Sequence, residues 1–178
     1  NIKKLGFDDE YSYALFLASA YNIDVNQNKE WFYEYLLPSI KCLDTKKYKC
    51  NPYYQNVFIE SKKYKNWELK WDKYKAYEAF VFDDFYLKDG KVLFNIGFFK
   101  EEFSFPAIYE NDRLWMSICP NEIETMKDAI NNAYGNVLVL GMGLGYYPYM
   151  ISLKENVESI TIIEKSKEAI EIFEKLIY

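Results

Sequence analysis

The stretch NVLVLGMGLGYYPYM, residues 136–150, sets glycines at alternate positions, Gly141, Gly143 and Gly145, straight after an apolar run at 137–140. Glycine at a turn from strand to helix permits positive φ and lets a ligand lie against bare backbone. The helix that follows begins with N–H groups that have no intrahelical partner. Further on, SITIIEKS (159–166) reads as a second strand running into Glu164. An acid roughly 20 residues beyond a glycine turn is placed to accept hydrogen bonds from ribose hydroxyls. Turn and acid within one strand–helix–strand unit point to a ligand with a nucleoside moiety. Tyr146, next to the loop, is a further candidate for the wall of an adenosyl pocket.

Spacing separates two nucleotide classes. The dinucleotide pattern G-x-G-x-x-G needs glycine at position 146, but this chain has Tyr146 there. Its bulk obstructs close helix–strand packing and the approach of a pyrophosphate. The spacing G-x-G-x-G instead resembles motif I of the class I S-adenosylmethionine-dependent methyltransferases. ESITIIEKSKEAIEIFEKL (158–176) is similar to that family's second strand, ribose-binding acid and following helix. The resemblance covers residues 121–178, about a third of the chain.

The resemblance implies that the backbone from Gly141 to Gly145 lies along the methionine part of S-adenosylmethionine, and that Glu164 holds the ribose. It implies methyl transfer to an acceptor that the sequence does not identify. One position departs from the family: two residues before the first glycine, where an acid commonly serves the cofactor's amino group, this chain has Val139. The spermidine-synthase-like branch, which transfers an aminopropyl group from a decarboxylated cofactor, also tends to be apolar there and has a β-hairpin region ahead of its nucleotide-binding part. Aminopropyl transfer is therefore the alternative, and Asp83, Asp84, Glu101 and Glu102 are the acids nearest in sequence that a polyamine pocket could use. The family fold has seven strands, of which this sequence supplies the first two. The expectation is an N-terminal part, inactive alone, with catalytic residues elsewhere and the sheet completed by a missing C-terminal half or a homodimer.

The elements that must position the loop follow from periodicity. Pro120 opens a helix whose stripe is Ile123, Met126, Ala129 and Ile130, with Asn121 and Glu124 spaced as a capping box and Gly135 at its end. A strand at 136–140, a helix from about 146, a strand at 158–163 and a helix from 167 then alternate as βαβα, which implies a parallel pair. In that last helix Ile170, Phe173 and Ile177 keep helical period. The fold class expected is α/β: an incomplete Rossmann-like unit over 119–178, preceded by an α+β accessory domain over 1–118. In the accessory part, 8–21 and 28–41 read as helices with Asp8 and Asn28 as N-caps, and Pro38 ends or bends the second. Trp67, Trp71, Tyr74 and Tyr77 or Glu78 fall at helical spacing and predict a helix over about 66–77 with an aromatic core stripe. Antiparallel strands over about 78–118 follow, with a hairpin turn at Asp89-Gly90, alternation of Val92, Phe94, Ile96 and Phe98 onto one face, and another turn at 110–112. Pro106 predicts an edge position for its strand.

Composition narrows the classes further. Half of the 178 residues are apolar and a fifth aromatic, so a sizeable core is expected. The chain has no histidine, which removes a His general base, a Ser-His-Asp triad and a His-ligated metal from its own repertoire. Cys42, Cys50 and Cys119 are odd in number and lack CxxC spacing, which fits a reducing, cytoplasmic setting and no zinc site. No apolar run reaches the ~20 residues of a membrane span. YALFLASAY (13–21) resembles a signal core, but Asp8, Asp9 and Glu10 precede it, so it reads as an amphipathic helix. The net charge of −5 argues against a wholesale nucleic-acid binder. Residues 41–75 nonetheless hold ten lysines against four acids, interleaved with Tyr48, Tyr64, Trp67 and Trp71. A solvated charged face is the expectation, and a non-catalytic module binding protein or RNA there is the rival from another class. NPYY (51–54) resembles the Asn-Pro-Pro-Tyr motif of amino-group DNA methyltransferases, but lacks the second proline and reads as a turn.

Overall fold

The computed structural model describes residues 9–176, a mixed α/β chain with three sheets. Its N-terminal elements are α1 (Glu10–Ala20), α2 (Lys29–Trp31), a π-helical turn (Phe32–Leu36), α3 (Leu37–Ser39), β1 (Ile40–Leu43), α4 (Thr45–Lys49) and α5 (Pro52–Asn56). Six strands follow: β2 (Lys62–Tyr64), β3 (Trp67–Tyr74), β4 (Phe80–Lys88), β5 (Lys91–Phe99), β6 (Phe103–Glu110) and β7 (Arg113–Ser117). The chain continues through α6 (Pro120–Thr125), α7 (Lys127–Asn132), β8 (Gly135–Leu140), α8 (Tyr146–Ser152), β9 (Val157–Ile163) and α9 (Lys167–Leu176). It divides into two compact units that interleave in sequence: the described residues up to Thr45 with Tyr74–Phe103, and Lys46–Lys73 with those from Ser104 onward. Segments 46–73 and 104–118, expected in an accessory region, thus belong to the same unit as the glycine loop.

In the first unit β1, β5 and β4 form a sheet in that order. Asp89 (φ +52°) and Gly90 (φ +70°) make the β4–β5 turn, and positive φ at both central residues is the type I′ geometry that matches strand twist. β1 adds parallel to β5 with Ile40 opposite Ile96, so residues 40 and 41 are strand and not the end of a helix. Pro38 has no N–H for the Glu34 carbonyl four residues back, and Lys88 Nζ donates to that oxygen at 2.7 Å. The predicted second helix is accordingly three short pieces with a widened π turn before Pro38. α1 is capped by Asp9, whose carboxylate accepts from Ser12 N–H; Asp8, the predicted cap, lies outside the described residues, as does Ile177. α1 is apolar round most of its circumference rather than amphipathic, with Tyr13, Ala14 and Ala18 buried and residues 15–17 half-buried. Tyr13 stacks on Phe98 at 3.8 Å between ring centroids and donates to the Tyr77 carbonyl at 2.9 Å. Of the predicted β5 face, Phe98 is fully buried and Ile96 half-buried, whereas Val92 and Phe94 are exposed.

In the second unit the sheet order is β2-β3-β6-β7. Residues 67–74 are a strand, which corrects the predicted helix: Trp67 and Leu69 are buried on one face, and Glu68 and Lys70 alternate with them. Positions 67 and 71 share a face in either period, so the aromatic spacing did not discriminate. The turn at Lys65 (φ +54°) and Asn66 folds β3 back on β2. β6 is interior, not an edge. Pro106 offers the sheet its carbonyl, which accepts from Ile118 N–H at 2.9 Å, and needs no donor there. β8 and β9 pair in parallel through α8, and Val139, Ala133 and Ile151 make the core beneath them. Among the described residues no helix is long and apolar enough to cross a membrane.

Phe98→Ala is expected to destabilise the protein by about 3–5 kcal/mol, the usual cost of emptying a buried aromatic site. Urea unfolding of the two proteins measures this, and a loss under about 1 kcal/mol would mean that the stack with Tyr13 is not a core contact.

Candidate functional site

The two parallel strands end level, with Leu140 opposite Ile163. Gly141 N–H extends the ladder by one bond to the Ile163 carbonyl, at 2.8 Å. The next N–H, of Met142, turns instead to Glu164 Oε2 at 2.9 Å, while Ser166 N–H reaches Glu164 Oε1 at 2.8 Å. The N–H donors of Ser166 and Met142 hold the Glu164 carboxyl below its ordinary range against a smaller opposing effect of burial. Gly141 has φ +87° and open space where a side chain would be, with no atom within 4 Å. Gly145, at φ +77°, is the left-handed N-cap of α8, and a Cβ there would stand 2.5 Å from the Phe173 ring. Met116 from β7 lies over Gly143 so closely that a Cβ would meet its sulfur. Among the described residues the N–H groups of Gly143 and Leu144 donate to no protein acceptor, whereas those of Gly141, Met142 and Gly145 do.

A cavity of about 520 Å³ opens at this end of the strands. Gly141, Gly143, Tyr146 and Glu164 all line it; Gly145 does not, and serves the helix cap. Tyr146 is buried and its hydroxyl accepts from Asn51 Nδ2 at 3.0 Å. Burial pushes the Tyr146 phenol above its ordinary range, and the Asn51 bond opposes that. Tyr53, also buried, donates to the Leu144 carbonyl and meets the Tyr146 and Tyr149 rings edge-on at 5.5 and 5.7 Å. NPYY is therefore not a bare turn. Asn51 caps α5, Pro52 opens it, and its side chains brace the back of the glycine loop.

Sequence periodicity did not assign to the site four residues that line it from outside the strand–loop–helix motif: Trp115 and Met116 from β7, and Glu122 and Met126 from α6 and its end. No motif marks them, because strand 113–117 and helix 120–125 reach the loop through the fold. The predicted capping box does not form. Pro120 is the first helical residue, Cys119 the N-cap, and the Glu124 carboxylate is taken by Lys47, Tyr48 and Lys127. Burial would raise the Glu124 carboxyl, but these donors outweigh it and keep it low. Glu122 has no such donors, and burial alone raises its carboxyl. In the lysine-rich stretch, Lys47, Lys62, Lys63, Lys65 and Lys70 pair with carboxylates, and Lys70 also sits 3.9 Å from the centre of the Tyr109 ring.

Comparison with protein-family models, with curated proteins and with solved structures finds no match. The volume lies within the ~300–1,000 Å³ typical of small-molecule sites. An apolar wall from Val139 and Leu140, the unpaired Gly143 N–H and a carboxylate with lone pairs to spare suit a small ligand with an apolar part and hydrogen-bonding groups of both kinds.

Because Glu164 has a lower pKa folded than unfolded, its stabilising contribution is full above the ordinary value of 4.5 and is lost as pH falls through the lower folded value. Glu164→Gln should thus be less stable than the wild type at neutral pH, with the gap closing in acid. Denaturation at pH 7 and at pH 3 tests this. An equal gap at both would mean that the charge on Glu164 does not hold the loop.

Proposed function

We propose that this chain carries the S-adenosylmethionine-binding part of a class I methyltransferase-like protein, with an incomplete Rossmann-like unit at 119–178. The observation that carries the reading is that Gly141, Gly143 and Glu164 line one cavity at the matched ends of two parallel strands, with Gly141 open to close approach. Ligands of open parallel sheets lie in the crevice beyond the carboxyl ends of the strands. In this reading the backbone of Gly141 and Gly143 receives the methionine part, Glu164 accepts from the ribose, and Tyr146 shapes the wall. Both Glu164 oxygens already accept backbone N–H groups, yet a carboxylate has about four lone-pair sites, so ribose hydroxyls can still be accommodated. The bound cofactor would supply an electrophilic methyl group on sulfonium, and the protein's contribution is to position the acceptor and exclude water. The methyl acceptor is left open, and none of the described residues is assigned as the base. The cysteine pattern fits a cytoplasmic setting.

A second reading, aminopropyl transfer, is favoured by Val139, which lines the cavity where a methyltransferase acid commonly stands. Against it, the cavity lining holds two carboxylates, Glu122 and Glu164, of which Glu164 is engaged by the loop. The reading of a larger sheet, completed by further strands or a second copy, is supported by the exposed Leu138, Leu140 and Ile163 on β8 and β9.

Calorimetric titration of the full-length protein with S-adenosylmethionine, S-adenosylhomocysteine, decarboxylated S-adenosylmethionine and NAD decides among these. The expected result is binding of the two intact adenosyl ligands, weakened about tenfold or more by Glu164→Ala, which removes the charged acceptor. Preference for the decarboxylated form would favour aminopropyl transfer. Binding of none would leave the glycines as a turn and favour a non-catalytic interaction module.

A further inference from the structure

The ligand of the proposed site carries an ammonium group, and the strand position that commonly answers it is apolar. Val139 lines the cavity and also packs into the core under the sheet, and as a valine it brings no carboxylate from that position of β8. One acid lines the same cavity from a different element. Glu122 lies in the first turn of α6, four residues before Met126, and both line the cavity. Residues four apart share a helix face, so this face of α6 is turned to the site. The opposite acid of the helix, Glu124, is held by Lys47, Tyr48 and Lys127, and Ile123 is buried in the core. These contacts fix the rotation of α6 and leave Glu122 toward the cavity. Among the described residues the Glu122 carboxylate has no hydrogen-bond or ion-pair partner. Burial raises its pKa without a compensating donor, the signature of a carboxylate that gains from a cation.

We propose that Glu122 receives the α-ammonium group of the adenosyl cofactor, replacing from α6 the acid absent at position 139. The proposal rests on the cofactor reading above. It makes Glu122 a ligand-recognition residue and assigns it no part in bond making or breaking. A carboxylate–ammonium pair in a partly desolvated site contributes more than a neutral hydrogen bond.

The test is titration of the full-length wild type and Glu122→Gln with two probes, S-adenosylhomocysteine, which has the ammonium, and 5′-methylthioadenosine, which lacks it. The expected result is a loss of about 10- to 100-fold for S-adenosylhomocysteine, with methylthioadenosine affinity unchanged. That unchanged affinity also shows that the variant is folded. Equal affinity of both proteins for S-adenosylhomocysteine would overturn the assignment while the cofactor reading stands. A parallel loss for both probes would also overturn it, because Glu122 would then be supporting the adenosyl pocket as a whole. If the wild type binds neither probe, the cofactor reading fails and this assignment falls with it.

Discussion

One carboxylate decides what the ends of the two parallel strands can do. Where β8 and β9 stop, backbone N–H groups lose their ladder partners, and an unpaired buried donor is costly. Gly141 takes the last bond available, to Ile163, and Glu164 then accepts from Met142 on one side and Ser166 on the other. The same side chain thus terminates both strands and ties the loop after β8 to the turn after β9. With that bridge in place, the chain can turn through positive φ at Gly141, Gly143 and Gly145 and leave the Gly143 N–H, at the cavity wall, without a protein acceptor among the described residues.

The bridge fixes one side of the loop, and an aromatic layer fixes the other. Tyr53 is buried and Tyr54 half-buried, and desolvation drives both phenols well above their ordinary range, so both remain protonated donors. They donate to the Leu144 and Ile118 carbonyls, one in the loop and one at the end of the chain's approach to α6. The layer therefore holds the loop and the root of α6 from a single short helix, α5. The cluster of Glu124 with Lys47, Tyr48 and Lys127 then sets the rotation of α6. The lining of the cavity comes from β7, α6, β8, α8 and the end of β9, and these contacts give it one arrangement.

The sequence displayed the features whose signals are local. Asp89-Gly90 and the βαβα alternation each need only neighbouring residues, and their positions follow from turn chemistry and period. Strand β3 was not legible, because Trp67 and Trp71 are four apart and lie on one face of either a helix or a strand. The deciding feature is the turn at Lys65, where a lysine adopts φ +54° without any glycine to announce it. β1 was hidden because its partner, β5, is 56 residues away and nothing local in IKCL requires a strand. The site divides in the same way. Its glycines and Glu164 are visible as a spacing, whereas Glu122, Asn51 and Tyr53 reach it only through packing, and 18 tyrosines do not show which of them is close.

The remaining constraint lies on the far face of the β8–β9 pair. Parallel strands are ordinarily covered on both faces. Here the Val137 and Val139 side packs on α7 and α8, while Leu138 and Leu140 on the other side are 58 and 76% exposed, and Ile163, in register with Leu140, is open on that same side. Fully burying one such side chain contributes about 1.5–3 kcal/mol. Covering these three, each more than half exposed, would therefore contribute a sizeable share of the whole stability of a small domain, about 5–15 kcal/mol. The glycine loop and Glu164 sit at the ends of these same two strands, so cover on that face would also reduce the freedom of the loop. The order of the ligand cavity and the cover of the open face are in this way one energetic problem, joined through the two strands that carry both.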